Sequence, residues 1–89
     1  MNFEWDKEKN QQNIRKHGLD FEDAWQVLEG LLLPELDLRS DYGEDRWSVT
    51  GLLGNRVVVL TFTFRGETIR VISLRKALRH ERQRFEDEV

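Results

Sequence analysis

Apolar and polar residues alternate most clearly over residues 57–64. One set of alternate positions there is entirely apolar: Val58, Leu60, Phe62 and Phe64. Because side chains of a strand alternate between two faces, this pattern predicts a central β-strand with one buried face. Arg65-Gly66-Glu67 predicts a tight turn, since glycine adopts positive φ without strain. The stretch 68–74 predicts the returning strand, with Ile69, Val71 and Ser73 on one face and Arg70, Ile72 and Leu74 on the other.

Three further stretches predict strands. Residues 2–5 form a short alternating segment, and residues 31–38 form a strand that Pro34 confines to a sheet edge or entry. Residues 46–52 alternate again, and residues 53–56 connect them by a hairpin to the central strand. Turn-forming residues over 40–44 separate the edge strand from the next one.

The chain also predicts helices. Asp6 is a suitable N-cap for a helix over 7–17, which Gly18 ends as a left-handed C-cap. This helix is mostly polar. One face carries Asn10, Asn13, Ile14 and His17. Such a face indicates either loose packing or specific partners for its polar side chains.

Two later helices complete the pattern. Asp20 caps a second helix that Gly30 ends, with an apolar stripe of Phe21, Ala24, Trp25 and Leu28. A last helix over 75–88 has a predicted buried side of Leu74, Ala77, Leu78 and Phe85. Glu81 falls on that side, where a carboxylate requires a partner, and a nearby arginine is the obvious candidate.

The order of predicted elements is β-α-α-β-β-β-β-α. Strands joined by consecutive hairpins form an antiparallel sheet, so the fold class expected is α+β with the helices packed on one face. The chain has 89 residues, which predicts a single domain over 1–89.

Composition excludes several classes. The chain has no cysteine and two histidines, so neither a disulfide framework nor a structural zinc site is expected. The apolar run Leu31-Leu32-Leu33 stops at Pro34, far short of a membrane span, and the acidic, aromatic N-terminus does not resemble a signal peptide. We expect a cytoplasmic protein without a metal or another cofactor.

Charge is distributed unevenly. The net charge of −3 argues against a protein that simply coats nucleic acid. Residues 1–45 contain 5 Lys/Arg and 12 Asp/Glu, whereas residues 46–89 contain 9 Lys/Arg and 5 Asp/Glu. This asymmetry predicts one acidic and one basic face, and the basic face suits RNA or an acidic partner.

Short motifs along nearly the whole chain resemble those of one family. The first are Phe3-Glu4-Trp5-Asp6, Lys9, Asn13, Lys16-His17-Gly18 and Phe21-Glu22. The central ones are Glu44, Arg46-Trp47, Thr63, Arg65-Gly66, Ile69-Arg70-Val71-Ile72-Ser73 and Arg75-Lys76-Ala77. The last are Glu81-Arg82 and the aromatic Phe85. Together they resemble the BrnT family, the toxins of type II toxin–antitoxin pairs.

The resemblance implies a RelE-like fold and a ribonuclease that arrests growth. It also implies two partners, RNA and a cognate BrnA-like antitoxin with a ribbon-helix-helix DNA-binding part. Operator DNA would be contacted only through that antitoxin, and no membrane is expected. The chain departs from the family pattern at Leu74, where alanine is usual, and at Phe85, where tyrosine is common. Phe85 has no hydroxyl to donate or accept a proton.

Metal-independent RNA cleavage requires a base for the 2′-OH, an acid for the 5′-oxygen and cations for the phosphate. His17 is the acid–base candidate, because the unperturbed pKa of a histidine lies near neutral pH, with Lys16 assisting. Arginine forks suit phosphate oxygens. The candidate catalytic residues are His17, Lys16, Arg46, Arg65, Arg75 and Glu81. The candidate RNA-binding residues are Arg46, Arg65, Arg70, Arg75 and Arg79.

Each candidate has a structural alternative. The alternative role of His17 is only to end its helix, where the C-terminus favours a protonated histidine. Glu81 acts either as a base or as a group that orients an arginine. The alternative for the hairpin arginines is that they are solvated side chains without a ligand. The tryptophans Trp5, Trp25 and Trp47 are expected to pack in the core rather than stack on bases.

Function has alternatives too. A family member that has lost catalysis would act as a binding module in an antitoxin–operator repressor complex. A stand-alone RNA-binding domain fits the composition but not the set of motifs.

Overall fold

The computed structural model describes residues 2–37 and 44–89. Most of the turn predicted over 40–44, and the end of the 31–38 strand at Leu38, lie outside the described residues. The elements in chain order are β1 (Asn2–Glu4), α1 (Lys7–His17), a 3₁₀ turn (Phe21–Asp23), α2 (Ala24–Glu29), β2 (Leu32–Asp37), β3 (Arg46–Leu53), β4 (Arg56–Arg65), β5 (Thr68–Lys76) and α3 (Arg79–Glu88).

The strands form one five-stranded sheet in the order β1-β5-β4-β3-β2. The predicted α+β class and element order are confirmed. Pro34 lies in β2 at the sheet edge, as expected. The sheet is mixed rather than purely antiparallel, because β1 pairs with β5 in parallel. Residues 2–5 are too few for their spacing alone to indicate the direction of pairing.

A bulge in β5 changes which residues share a face. Thr61 pairs with Ser73 but the next residue, Phe62, pairs with Val71, so Ile72 is the extra residue. Leu74 therefore shares a face with Val71, contrary to the strict alternation expected from the sequence, and its side chain is fully buried. The bulge also moves Arg75 onto the same face as Arg70.

The main core lies on the sheet face that carries Val58, Leu60 and Leu74. The 3₁₀ turn and α2 pack on this face, and α1 runs along β5. The last helix differs from the expectation that all helices pack on one face. α3 contacts β2 and β3, and Phe85 is buried outside the main core cluster. Alternation along β2 and β5 places the ion-pair partners of α3, Glu35 and Arg75, on the opposite face.

The start of the last helix also differs. The sequence predicted a helix from Arg75, whereas β5 continues to Lys76 and α3 begins at Arg79. Residues 74–76 pair with residues 58–60 of β4 instead. Leu78, expected on the buried side, is 56% exposed. Pairing with the distant strand β4 therefore outweighs the helical spacing of these residues.

Phe21 and Ala24 of the predicted apolar stripe are buried, but the stripe is wrong at Trp25. Val27 is fully buried, whereas Trp25 is 46% exposed. α2 approaches the sheet closely at Gly51, where an added Cβ would lie 3.0 Å from Cγ1 of Val27 and 3.3 Å from the carbonyl oxygen of Leu31. Such distances are too short for a side chain without movement of the neighbours, so Gly51 allows this contact.

The first helix agrees with the prediction. Asp6 accepts hydrogen bonds from the backbone N–H groups of Glu8 and Lys9, and Gly18 has φ of 70°. The polar face has specific partners. The amide group of Asn13 donates to the carbonyl oxygens of Leu19 and Leu74 and accepts from the N–H of Leu74. Asn13 thus occupies the strand edge of β5 beyond the point where β1 stops pairing.

Candidate functional site: an arginine-rich sheet face

The sheet face opposite the main core carries the strand arginines predicted to bind phosphate. We call it the arginine face and define it by Arg46, Arg65, Arg70 and Arg75. Arg75 lies opposite Val59 of β4, whereas Arg70 lies opposite Thr63. α3 packs over β2 and β3 on this face, where Val59 and Thr63 of β4 are buried and the arginines of β5 are partly exposed.

Arg75 forms a two-pronged ion pair with Glu81 of α3. Its Nη1 and Nη2 atoms lie 2.7 and 2.9 Å from the two carboxylate oxygens. Glu81 also accepts a hydrogen bond of 2.8 Å from the N–H of Leu78, which caps the start of α3. The predicted arginine partner of Glu81 is therefore confirmed. The pair fixes the orientation of the guanidinium group.

The ion pair lowers the pKa of Glu81 from 4.5 to about 2, chiefly through the hydrogen bond from Arg75. A folded-state pKa below the unfolded value stabilises the fold above pH 4.5, and this contribution is lost as pH falls towards 2. We expect Glu81→Gln to lower the free energy of unfolding at pH 7 by about 1–2 kcal/mol, allowing for partial exposure. Urea unfolding at pH 7 and pH 2.5 measures this difference.

Exposed Glu86, on the same helix, offers the matched control Glu86→Gln, which should change stability little at either pH. A loss in Glu81→Gln that is equally large at pH 7 and pH 2.5 would contradict the assignment.

His17 ends α1 beside this ion pair. Its imidazole is half-buried. Burial, followed by the positive charges of Lys16 and Arg75, lowers the pKa of His17 below its usual 6.5. Neutral imidazole therefore predominates at pH 7, which is the form that accepts a proton. A lowered pKa is the opposite of what a protonated histidine stabilised only by the helix terminus would have.

A second group of candidates lies at the β4–β5 hairpin. Arg65 is exposed at the end of β4, and Arg70 forms an ion pair of 2.6 Å with Glu4 of β1. Arg46 begins β3, where the hydroxyl of Thr63 donates to the carbonyl oxygen of Asp45 at 2.6 Å. Arg65 lies six residues along β4 from Val59, which faces Arg75, a separation of about 20 Å, whereas Arg70, opposite Thr63, is about 13 Å from Arg75 along the strand.

Hydroxyl side chains lie between the two groups. Ser48 of β3 and Thr61 of β4 form a hydrogen bond of 3.2 Å, and Ser73 lies opposite Thr61 in β5. All three point to the arginine face. The described part of this face therefore joins two basic groups through a strip of polar side chains.

Thus the candidates divide into two groups. His17, Lys16, Arg75 and Glu81 lie together, and Arg79 begins the helix that Glu81 caps. Arg46, Arg65 and Arg70 lie at the hairpin end instead. The sequence missed the role of Glu4 as partner of Arg70, because that contact depends on the parallel pairing of β1 with β5.

The described residues contain neither a cluster of metal-ligating side chains nor a membrane-spanning helix. Within residues 2–37 and 44–89, no three His, Cys, Asp or Glu side chains are grouped as a metal site would require. The described helices include none long and apolar enough to cross a membrane.

Comparison with known proteins bears on this geometry. Residues 5–81 match the family described as the ribonuclease toxin BrnT of type II toxin–antitoxin systems. The chain belongs to this family. BrnT proteins are thus ribonuclease toxins whose systems include an antitoxin partner. A comparison with curated proteins found no match.

The BrnT match covers both groups of basic residues and includes Glu81 at its end. Phe85 lies beyond the matched range. In the structure its ring is buried beneath α3, one helical turn after Glu81. The four arginines of the arginine face therefore lie within the residues that match the family.

Proposed function

We propose that this BrnT protein is an endoribonuclease that cleaves RNA without a metal ion, with His17 as the base. The observation that carries the proposal is the half-buried imidazole of His17, whose pKa Arg75 and Lys16 help to lower. A neutral base beside two cations combines the groups that phosphodiester cleavage by the 2′-OH requires.

In the proposed reaction, His17 accepts the proton of the 2′-OH. The 2′-oxygen then forms a bond to phosphorus while the bond from phosphorus to the 5′-oxygen breaks. The products are a 2′,3′-cyclic phosphate and a 5′-hydroxyl, which takes a proton from Lys16 or water. Arg75, held by Glu81, stabilises the charge that develops on the phosphate oxygens.

The strip between the two basic groups would hold the RNA strand. Arg46, Arg65 and Arg70 would bind phosphates away from the scissile bond, and Arg79 would bind one near α3. Ser48, Thr61 and Ser73 supply hydroxyls that bind phosphate or ribose. A length of about 20 Å suits several nucleotides of a single strand.

Membership of the toxin–antitoxin family supports a proposal for the biological setting. RNA cleavage in the cytoplasm would arrest growth until a cognate BrnA-like antitoxin binds the toxin. Operator DNA would be bound by the antitoxin in the complex, and the toxin would act there as a corepressor.

A second candidate function rests on the ion pairs. Arg70 and Arg75, two of the proposed phosphate ligands, are already engaged by Glu4 and Glu81. Together with Phe85 in place of tyrosine, these pairs favour a catalytically weak member that acts as a binding module in a repressor complex.

Cleavage of a defined RNA by the full-length protein in excess EDTA tests the first function. We expect cleavage to survive chelation, and Arg75→Lys to reduce its rate by about 10²-fold, because lysine keeps the charge but loses the fork that Glu81 orients. Gel separation with identification of the cyclic phosphate end measures both.

The exposed Arg56, at the opposite end of β4 from Arg65, provides the control Arg56→Lys, which should cleave RNA at the wild-type rate. Cleavage that stops with EDTA and returns with a divalent ion would refute metal independence. No cleavage by the wild type, with or without ribosomes, would instead support the binding module.

A further inference from the structure

An apolar groove lies on the core side of the sheet, at the end nearest the β4–β5 hairpin. It has a volume of about 730 Å³ and lies between α2 with its 3₁₀ turn and the ends of β1, β4 and β5. Eight of its ten lining residues are apolar, and six of these eight are phenylalanine or tryptophan, among them Phe3, Trp5, Trp25 and Phe64.

The groove is exposed at two aromatic side chains. Trp25 is 46% exposed and Phe64 is 53% exposed, although both are large apolar groups. Trp25 lies on one wall and Phe64 on the other. Exposed aromatic side chains on facing walls are typical of surfaces that bind another protein, where such residues contribute much of the affinity.

Charge indicates which kind of partner fits. The two remaining lining residues are Glu22 and Glu29, which are both exposed and flank Trp25 in sequence. The opposite face of the sheet carries the arginines. A basic partner is therefore attracted to the groove and repelled by the arginine face, whereas RNA has the opposite preference.

We propose that the groove binds the antitoxin, through a segment with apolar side chains flanked by Lys or Arg. The floor is built of side chains, so an amphipathic helix laid into the groove fits better than an added strand. Too few polar groups converge in the groove to bind a small polar ligand. The proposal rests on the proposed function only in taking the antitoxin as partner.

The groove also lies next to the hairpin end of the arginine face. Phe64 in the groove wall is followed directly by Arg65 on the arginine face. A segment that leaves the groove past Phe64 therefore reaches Arg65 at the hairpin, while His17 and Arg75 lie at the far end of the strip.

Binding of the purified antitoxin encoded beside the toxin tests the proposal, using the full-length toxin and isothermal titration calorimetry. We expect Trp25→Ala and Phe64→Ser each to weaken binding by 10-fold or more. Glu22→Lys with Glu29→Lys should also weaken it, and the effect of this pair should shrink at high salt. Exposed positions are substituted, so the variants are expected to fold.

Leu31→Ser and Leu78→Ser are the matched controls, since both leucines are more than half exposed and neither lines the groove. They should bind as the wild type does. Unchanged affinity of the Trp25 and Phe64 variants, or a loss confined to Leu78→Ser, would overturn the proposal. So would a toxin that is dimeric alone and becomes monomeric with Trp25→Ala, since the groove would then bind a second copy.

The outcomes also separate this proposal from the proposed function. Antitoxin binding is measured without RNA, and RNA cleavage is measured without antitoxin. Trp25→Ala is expected to cleave RNA at the wild-type rate but to resist inhibition by the antitoxin. Failure of cleavage by every toxin variant and the wild type would refute the ribonuclease proposal and leave the binding result intact.

Discussion

Replacing His17 with alanine is expected to slow RNA cleavage by about 10²- to 10⁴-fold, the usual contribution of a general base. The imidazole is half-buried and lies close enough to Lys16 and Arg75 for their charges to lower its pKa. Alanine removes the proton acceptor and leaves the phosphate-binding residues in place. The rate constant for a single defined RNA, measured with excess enzyme, reports this loss.

The direction of the pH dependence shows whether His17 acts as a base or as an acid. A base acts when deprotonated, so the wild-type rate should rise with pH through a pKa below 6.5 and then level off. His17→Ala should lose this rise. If the rate instead fell as pH rose through the same range, His17 would act as the acid and not as the base.

The other histidine of the chain provides the matched control. His80 is exposed on α3, and His80→Ala should retain both the rate and the pH profile of the wild type. A loss of activity in His80→Ala as large as that in His17→Ala would contradict the role of His17 as the base.

The largest expected effect on stability is that of Asn13→Ala, which should lower the free energy of unfolding by about 3 kcal/mol. Asn13 is 7% exposed and satisfies two carbonyl oxygens and one N–H of the backbone. Alanine cannot replace these hydrogen bonds, and the groups at Leu74 lie where water reaches them poorly. Urea unfolding followed by circular dichroism measures the change.

Gln12→Ala is the control for that prediction. Gln12 is exposed on the same helix, and alanine is the best helix former, so stability should stay the same or rise slightly. A loss in Asn13→Ala no larger than about 0.5 kcal/mol would show that the strand edge at Leu74 does not depend on Asn13. The two variants together separate the hydrogen bonds from the helix itself.

Part of the candidate site could be predicted from the sequence. A carboxylate on the apolar side of a helix indicates a cationic partner, and Glu81 does bind Arg75. A cluster of polar groups at helical spacing indicates specific partners, and Asn13 has them. The sequence did not show which residues these partners are. The contact between Asn13 and Leu74 joins residues that are 61 positions apart, and no local pattern encodes it.

The grouping of the basic residues shows the same limit. Alternation along 68–74 predicted that Arg70 and Ser73 lie on different faces. The bulge at Ile72 reverses this, because pairing with β4 shifts by one residue between Thr61 and Phe62. One extra residue therefore decides that Arg75 and Arg70 share a face.

Elements with local signals could be predicted from the sequence alone. Caps at Asp6 and Gly18 set the limits of α1, and a proline and glycines marked the edge strand and the hairpins. The family could also be recognised from the sequence, because its motifs are short runs of residues in a set order along the chain. The tertiary structure alone decided the parallel pairing of β1, the late start of α3 and the exposure of Trp25. These features depend on which distant segments compete for the same backbone hydrogen bonds and the same apolar surface, and that competition is settled only when the chain is folded.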